Sequence, residues 1–389
     1  MEIGVVGKPN VGKSTFFKAV TLAEVEIANF PFTTIKANVG MGYVKTPCPC
    51  REFNVTCNPN NSFCKNGYRF TPVKLIDVAG LVPGAHEGKG LGNQFLDELR
   101  QADALIHVLD ISGRTNERGE VTENYDPERD VKFLEDEINL WFEEIINRNL
   151  DKIKSKIKYE SKDFVRELGM QLSGLGIKEF HVEEALKITG FKGRIELSQD
   201  ELRIFAKTLR EISKPIVLAA NKIDVGGENY ERLKKKFELI PCCAEAELAL
   251  RQAERKGIVE YTPGESSFLI KEKLEEKQRI ALEFIKQKIL ERYGSTGIQQ
   301  VLNKVVFEVL GYIIVYPVEN EHKLTDSKGR VLPDSYLVPS GTTALELAYK
   351  IHTQIGEGFI GAIDCRTQKK VGKEYVLKHG DVIKILSRA

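Results

Sequence analysis

Glu2-Ile3-Gly4-Val5-Val6-Gly7-Lys8-Pro9-Asn10-Val11-Gly12-Lys13-Ser14-Thr15 is the stretch that decides the fold. Ile3 to Val6 reads as a buried strand. Gly7 to Ser14 fits the pattern G-x-x-x-x-G-K-S, and a helix is predicted from Lys13. In that strand–loop–helix setting the two glycines let the backbone curl so that its amides point at phosphate oxygens, and the dipole of the following helix adds to the field. Lys8, Pro9, Asn10, Val11, Gly12, Lys13, Ser14 and Thr15 are therefore the candidate phosphate-binding set. Lys13 reaches the β- and γ-phosphates and the Ser14 hydroxyl is a candidate Mg²⁺ ligand.

Outward from this loop, strand and helix patterns alternate. Strands are expected at Ala37 to Val44, Val73 to Ile76 and Ala104 to Leu109, with a helix near Leu91 to Arg100. This order predicts an α/β doubly wound sheet. The next core-like strand, Pro215 to Ala220, comes about a hundred residues later, too far for one crossover helix, so an insertion is expected. Within it Val131, Leu134, Ile138, Trp141, Ile145, Leu150, Ile153 and Ile157 recur mostly three or four apart, the pattern of a long amphipathic helix. Glu201 to Ile212 reads as another, and a coiled-coil-like hairpin standing off the sheet is one arrangement they would allow. From Ile313 the texture changes to short β-type runs with glycine at the turns, the mark of a small α+β domain. The boundaries are thus 1–111 and 214–305 for the phosphate-binding domain with its trailing helices, 112–213 for the helical insertion and 306–389 for the C-terminal domain.

Composition bounds the rest. With 57 Lys plus Arg against 56 Asp plus Glu among 389 residues, the net charge of +1 supplies no whole-protein field for nucleic acid. The chain opens on the strand itself, without a signal-type segment, and no apolar run is long enough to span a membrane, which predicts a cytoplasmic protein without membrane contact.

Asp77-Val78-Ala79-Gly80 follows its strand where a carboxylate should hold Mg²⁺ and a glycine amide should meet the γ-phosphate. Between the two motifs Asn29-Phe30-Pro31-Phe32-Thr33-Thr34 offers a threonine for the Mg²⁺ shell, and Thr34 is chosen. Asn221-Lys222-Ile223-Asp224 sets the base. An Asp224 carboxylate accepts from guanine N1–H and the 2-amino group, which adenine lacks, so GTP is favoured over ATP. Lys222 would lie along the base and Asn221 would tie this loop to the phosphate loop. Cys243-Ala244 stands where a backbone amide, that of Ala244, would meet guanine O6.

With these residues in hand, the chain resembles the YchF-like branch of the Obg-related GTPases. The carriers are Gly7 to Ser14, Asn29 to Thr34, the run Asp77 to Asn93, and a C-terminal domain like the TGS domain around Leu332-Pro333-Asp334 and Gly380-Asp381. The resemblance implies a GTPase domain interrupted by a helical domain and followed by a TGS domain. It further implies a Mg²⁺-dependent molecular switch acting with ribosomes or RNA. Many branch members carry Asn-x-x-Glu and prefer ATP, whereas Asp224 is intact here. An ATPase of the same family, or a nucleotide-gated ribosome-binding module with negligible turnover, are the rival readings.

Lys13, Thr34, Gly80 and Asn10 are the candidate catalytic set. Leu81 stands where a water-orienting Gln would be, so intrinsic hydrolysis is expected to be slow. Asn10 is a candidate K⁺ ligand, and His86 a weaker candidate base. Cys48, Cys50, Cys57 and Cys64, spaced C-x-C-x₆-C-x₆-C, offer four thiols for Zn²⁺, for disulfides or as free groups. Arg366, Lys369, Lys370, Lys373, Lys378 and Lys384 form a basic run that RNA phosphates could meet.

Overall fold

The structure of the chain, a computed structural model, describes residues 1–22, 38–78, 92–160, 163–191 and 196–388. Its main sheet contains β1 (Glu2–Val6), β2 (Val39–Pro47), β3 (Phe63–Lys65), β4 (Tyr68–Asp77), β5 (Ala104–Asp110), β6 (Ile216–Asn221) and β7 (Leu239–Pro241). The order is β2-β4-β1-β5-β6-β7, with β3 paired to β4. β1 runs parallel to β4 and β5, and β6 to β5 and β7, whereas β2 and β3 are antiparallel to β4.

Alternation along the strands sorts side chains onto two faces. Ile3, Val5, Val73, Leu75, Ile106 and Val108 face one core, with Phe16 and Val20 of the helix Lys13–Thr21. Val6, Ile76 and Leu105 face the other, with Phe95 and Leu99 of the helix Gly92–Gln101. That second core continues without a break into the insertion.

The insertion consists of the helices Glu128–Glu160, Phe164–Leu172, Glu179–Thr189 and Gln199–Ser213. The long helix is present and buries Leu134, Ile138, Trp141 and Leu150 in the core it shares with the sheet. Leu168, Leu172, Val182, Leu186, Leu202 and Phe205 of the shorter helices close over the same stripe and pin it to the sheet. The last helix opens on a capping box, in which the Ser198 hydroxyl accepts from Glu201 N and Glu201 accepts from Ser198 N.

After β7 come the helix Ala244–Arg255, the hairpin β8 (Val259–Tyr261) and β9 (Phe268–Ile270), and the helix Glu276–Ile285. The hairpin is too short to leave a periodic signal. The helix Ile298–Asn303 then clamps β2: Gln299 Nε2 donates to Tyr43 O, and Asn303 bonds both backbone groups of Lys45.

The C-terminal sheet contains β10 (Tyr312–Val318), β11 (Tyr336–Pro339), β12 (Phe359–Asp364), β13 (Lys369–Val371) and β14 (Val382–Ser387), in the order β11-β10-β14-β12-β13. The helix Ala344–Ile351 packs on it. This domain docks on the β3–β4 end of the main sheet. Arg366 makes a bidentate pair with Glu52, and Lys384 pairs with Glu321. Three of the six basic residues that RNA phosphates could meet are engaged in ion pairs, since exposed Lys373 also lies 4.0 Å from Glu374, while Lys369, Lys370 and Lys378 are exposed.

Candidate nucleotide-binding site

The loop after β1 requires its glycines. A Cβ at Gly7 would stand 2.8 Å from Val108 O; at Gly12, where φ is +90°, it would stand 2.5 Å from Asn221 Nδ2. Asn10 also has a positive φ of 64°, which Asn tolerates better than most residues. The Lys13 ammonium bonds the Asp77 carboxylate and donates to Val78 O at 2.8 Å. Ser14 lies exposed in the first turn of its helix. The parallel register sets Val5 against Asp77. The strand that feeds the loop thereby lies beside the strand that presents the carboxylate.

The predicted link between the base-reading loop and the phosphate loop is present. Asn221, almost fully buried, donates from Nδ2 to Val11 O at 2.9 Å. Its Oδ1 accepts from Ala244 N at 3.0 Å. Here Ala244 differs from the sequence expectation: its amide is given to Asn221. The cause is local, since Ala244 begins a helix and carries one of the amides that have no intrahelical acceptor, and Asn221 supplies one.

Lys222 takes a left-handed φ of 62°, and its ammonium donates to Asn10 O at 2.9 Å and to Asp110 Oδ2 at 2.8 Å. Asp110 also accepts from Ser112 and Thr115. Burial pushes the Asp110 carboxyl up, but the bonds from Lys222, Ser112 and Thr115 outweigh it and hold the group below the ordinary carboxylate value. Asp224 lies between two clefts. One is bordered by Tyr125, Asn229 and Arg292, the other by Cys243, Ala246, Ile280 and Phe284. The Cys243 thiol is 3.7 Å from Asp224 Oδ1, and burial followed by the Asp224 charge pushes it up to about 12, so it stays a neutral thiol.

The sequence reading missed the cover over the phosphate loop. Residues 112–126 lie along it: Asn10 Nδ2 donates to Gly119 O, and Lys8, buried, donates to Thr115 O and sits 2.7 Å from Asp130 Oδ2. Burial raises the Asp130 carboxyl above its ordinary value, and the Lys8 charge offsets only part of that. Asp130 belongs to the first turn of the long insertion helix, so the insertion touches the nucleotide loop directly. An acidic residue ending β5, Asp110, was the one available signal. Thr34, Gly80, Leu81 and His86 lie outside the described residues.

Three family profiles match in chain order: the 50S ribosome-binding GTPase over residues 2–144, the Obg-like GTPase YGR210-like G4 motif-containing domain over 219–320, and the TGS domain over 325–387. A GTP-binding protein of Methanocaldococcus jannaschii is 50% identical, with 100% of this chain and 99% of that protein covered. The chain belongs to the Obg-like GTPases. Within the Obg-like GTPases it falls in the YchF-like branch, as its motifs implied. It is 28% identical to the ribosome-binding ATPase YchF of Escherichia coli, covering 99% of this chain and 98% of that one. The solved structure of a GTP-binding protein from Pyrococcus horikoshii superposes with a TM-score of 0.82 at 41% identity, covering 100% of both chains. Like the family's architecture, this Obg-like GTPase combines a P-loop sheet with a C-terminal TGS domain. Among its described residues no helix is long and apolar enough to cross a membrane.

Proposed function

We propose that the protein binds GTP with Mg²⁺, hydrolyses it slowly to GDP and phosphate, and works as a nucleotide-controlled switch. The observation that carries this reading is the pair of hydrogen bonds of Asn221, donated to Val11 O and accepted from Ala244 N, which couples the loop bearing Asp224 to the loop bearing Lys13. Asp224 is an acceptor-only group that would read the guanine edge. Adenine would leave it desolvated and unpaired.

Ser14 and Asp77 are the residues that would hold Mg²⁺. They are hard oxygen donors at the ends of neighbouring elements, the donor type this ion takes. Bound Mg²⁺ would supply positive charge against the phosphates. Lys13, now paired with Asp77, would turn to the phosphates, and Gly7 and Gly12 give the backbone the curl that binds them. The Asn10 side-chain oxygen Oδ1, which the bond from Nδ2 to Gly119 O leaves uncommitted, is the atom a K⁺ ion would take.

The relative named as a ribosome-binding ATPase supports a ribosome or RNA as partner. The exposed Lys369, Lys370, Lys373 and Lys378 suit contact with its phosphates. The ATP reading is separated from ours by Asp224→Asn. An Asn amide can donate to the C2 carbonyl of xanthine, so this variant should lose GTP and gain XTP in competition binding. Unchanged GTP binding by the variant would overturn guanine readout through Asp224.

A further inference from the structure

The segment that lengthens the β2–β4 connection brings four sulfurs to one point. Cys48 ends β2's turn into the short helix Pro49–Glu52, Cys50 lies in that helix, Cys57 on the returning loop, and Cys64 in β3 opposite Arg69. The Sγ atoms of Cys48, Cys50, Cys57 and Cys64 all lie within 4.8 Å of one another. Cys48 and Cys57 are 3.8 Å apart, Cys50 and Cys64 3.9 Å. Four thiolates around a tetrahedral zinc, with Zn–S near 2.3 Å, stand about 3.8 Å from one another. A disulfide would require about 2.05 Å.

A second observation is charge. Arg69 is fully buried beneath the cluster, and among the described residues no carboxylate pairs with it. Its guanidinium bonds Cys48 Sγ at 3.6 Å, Ser62 Oγ at 2.9 Å and Leu332 O at 3.0 Å, and it lies over the Tyr316 ring. An uncompensated buried cation is costly. A divalent ion held by four thiolates carries a net double negative charge, the complement that this guanidinium lacks.

We propose that Cys48, Cys50, Cys57 and Cys64 bind a structural Zn²⁺ ion that fixes the 48–64 segment as a ledge for the C-terminal domain. Four protein ligands leave no open position, so the site is structural and not catalytic. The loop it would brace carries Asn58, Asn60 and Asn61, which bond the backbone of Val331, Pro333 and Ser335 across the domain boundary.

The test is the metal content of the full chain, purified under reducing conditions without added metal, followed by exchange with Co²⁺. The proposal expects one zinc per chain, intense visible absorption of tetrahedral cobalt with thiolate charge-transfer bands, and loss of both in Cys57→Ser and in Cys64→Ser. Because those variants could misfold, the wild-type chain is also probed with a thiol reagent: bound Zn²⁺ should shield the cluster, and chelation should expose it and lower Tm. Absence of stoichiometric metal together with no Co²⁺ spectrum would overturn the proposal, whether mass spectrometry then finds oxidised pairs or free thiols. None of these readouts uses nucleotide, so their outcome is separate from that of the GTP reading.

Discussion

His107 shows how much one buried side chain near the loop matters. It is fully buried on β5; burial first, and the Lys8 charge second, lower its imidazole to about 3. The folded chain therefore keeps it neutral, while the unfolded chain protonates it below the ordinary value of 6.5. The unfolded state binds the extra proton, so the stability is complete above that pH and declines as pH falls toward 3, by about 1.4 kcal/mol per pH unit. Thermal unfolding of His107→Gln followed from pH 7 to 5 should show a flatter acid slope than the wild type. An identical slope would contradict the assignment. At this scale the sequence was informative where chemistry is local. Gly12 and Lys222 take positive φ, and Asn221 makes the expected link to the phosphate loop, whereas the Lys222 ammonium, expected along the base, bonds Asn10 O and Asp110 instead. The pairing of Lys8 with Thr115 and Asp130, and the burial of His107, were illegible, since they join residues more than a hundred apart or across strands, and no spacing records that.

Elements were legible where they are long. β1, β5, β6 and the helix Glu128–Glu160 lie close to their expected places because their apolar periods run over many residues. β3, β8 and β9, at three residues each, carried no such period. The compactness of the insertion was also hidden, because a stripe on one helix does not say which helices cover it. The loop between β5 and that helix makes the sharpest element-scale prediction. Gly119 has φ +79°, and a Cβ there would lie 2.6 Å from Pro9 O. Gly119→Ala should cost about 1–3 kcal/mol and lift the loop from Asn10. Denaturant unfolding and GTP affinity measured together check this; an unchanged midpoint and affinity would show that the loop does not brace the phosphate loop.

Across the molecule, one core joins Val5 and Phe16 of the P-loop domain to Ile314, Tyr316 and Leu332 of the C-terminal domain, and a second joins the sheet to the insertion. The three sequence segments should consequently unfold together. Calorimetry of the nucleotide-free chain is expected to give a single transition whose van't Hoff and calorimetric enthalpies agree, and a separately melting C-terminal domain would contradict the shared core. The docking itself could not be read from sequence, since Glu52 and Arg366 lie far apart in the chain. The sequence motifs did imply the order of domains. All of this architecture serves one claim, that coupled loops present Asp224 to guanine and Lys13 to phosphate. The most direct test is calorimetric titration of the Mg²⁺-loaded chain with non-hydrolysable GTP and ATP analogues. The account predicts that the guanine analogue binds at least about 100-fold more tightly, since a bound adenine would desolvate the Asp224 carboxylate and leave it unpaired. Equal or tighter binding of the adenine analogue would contradict it.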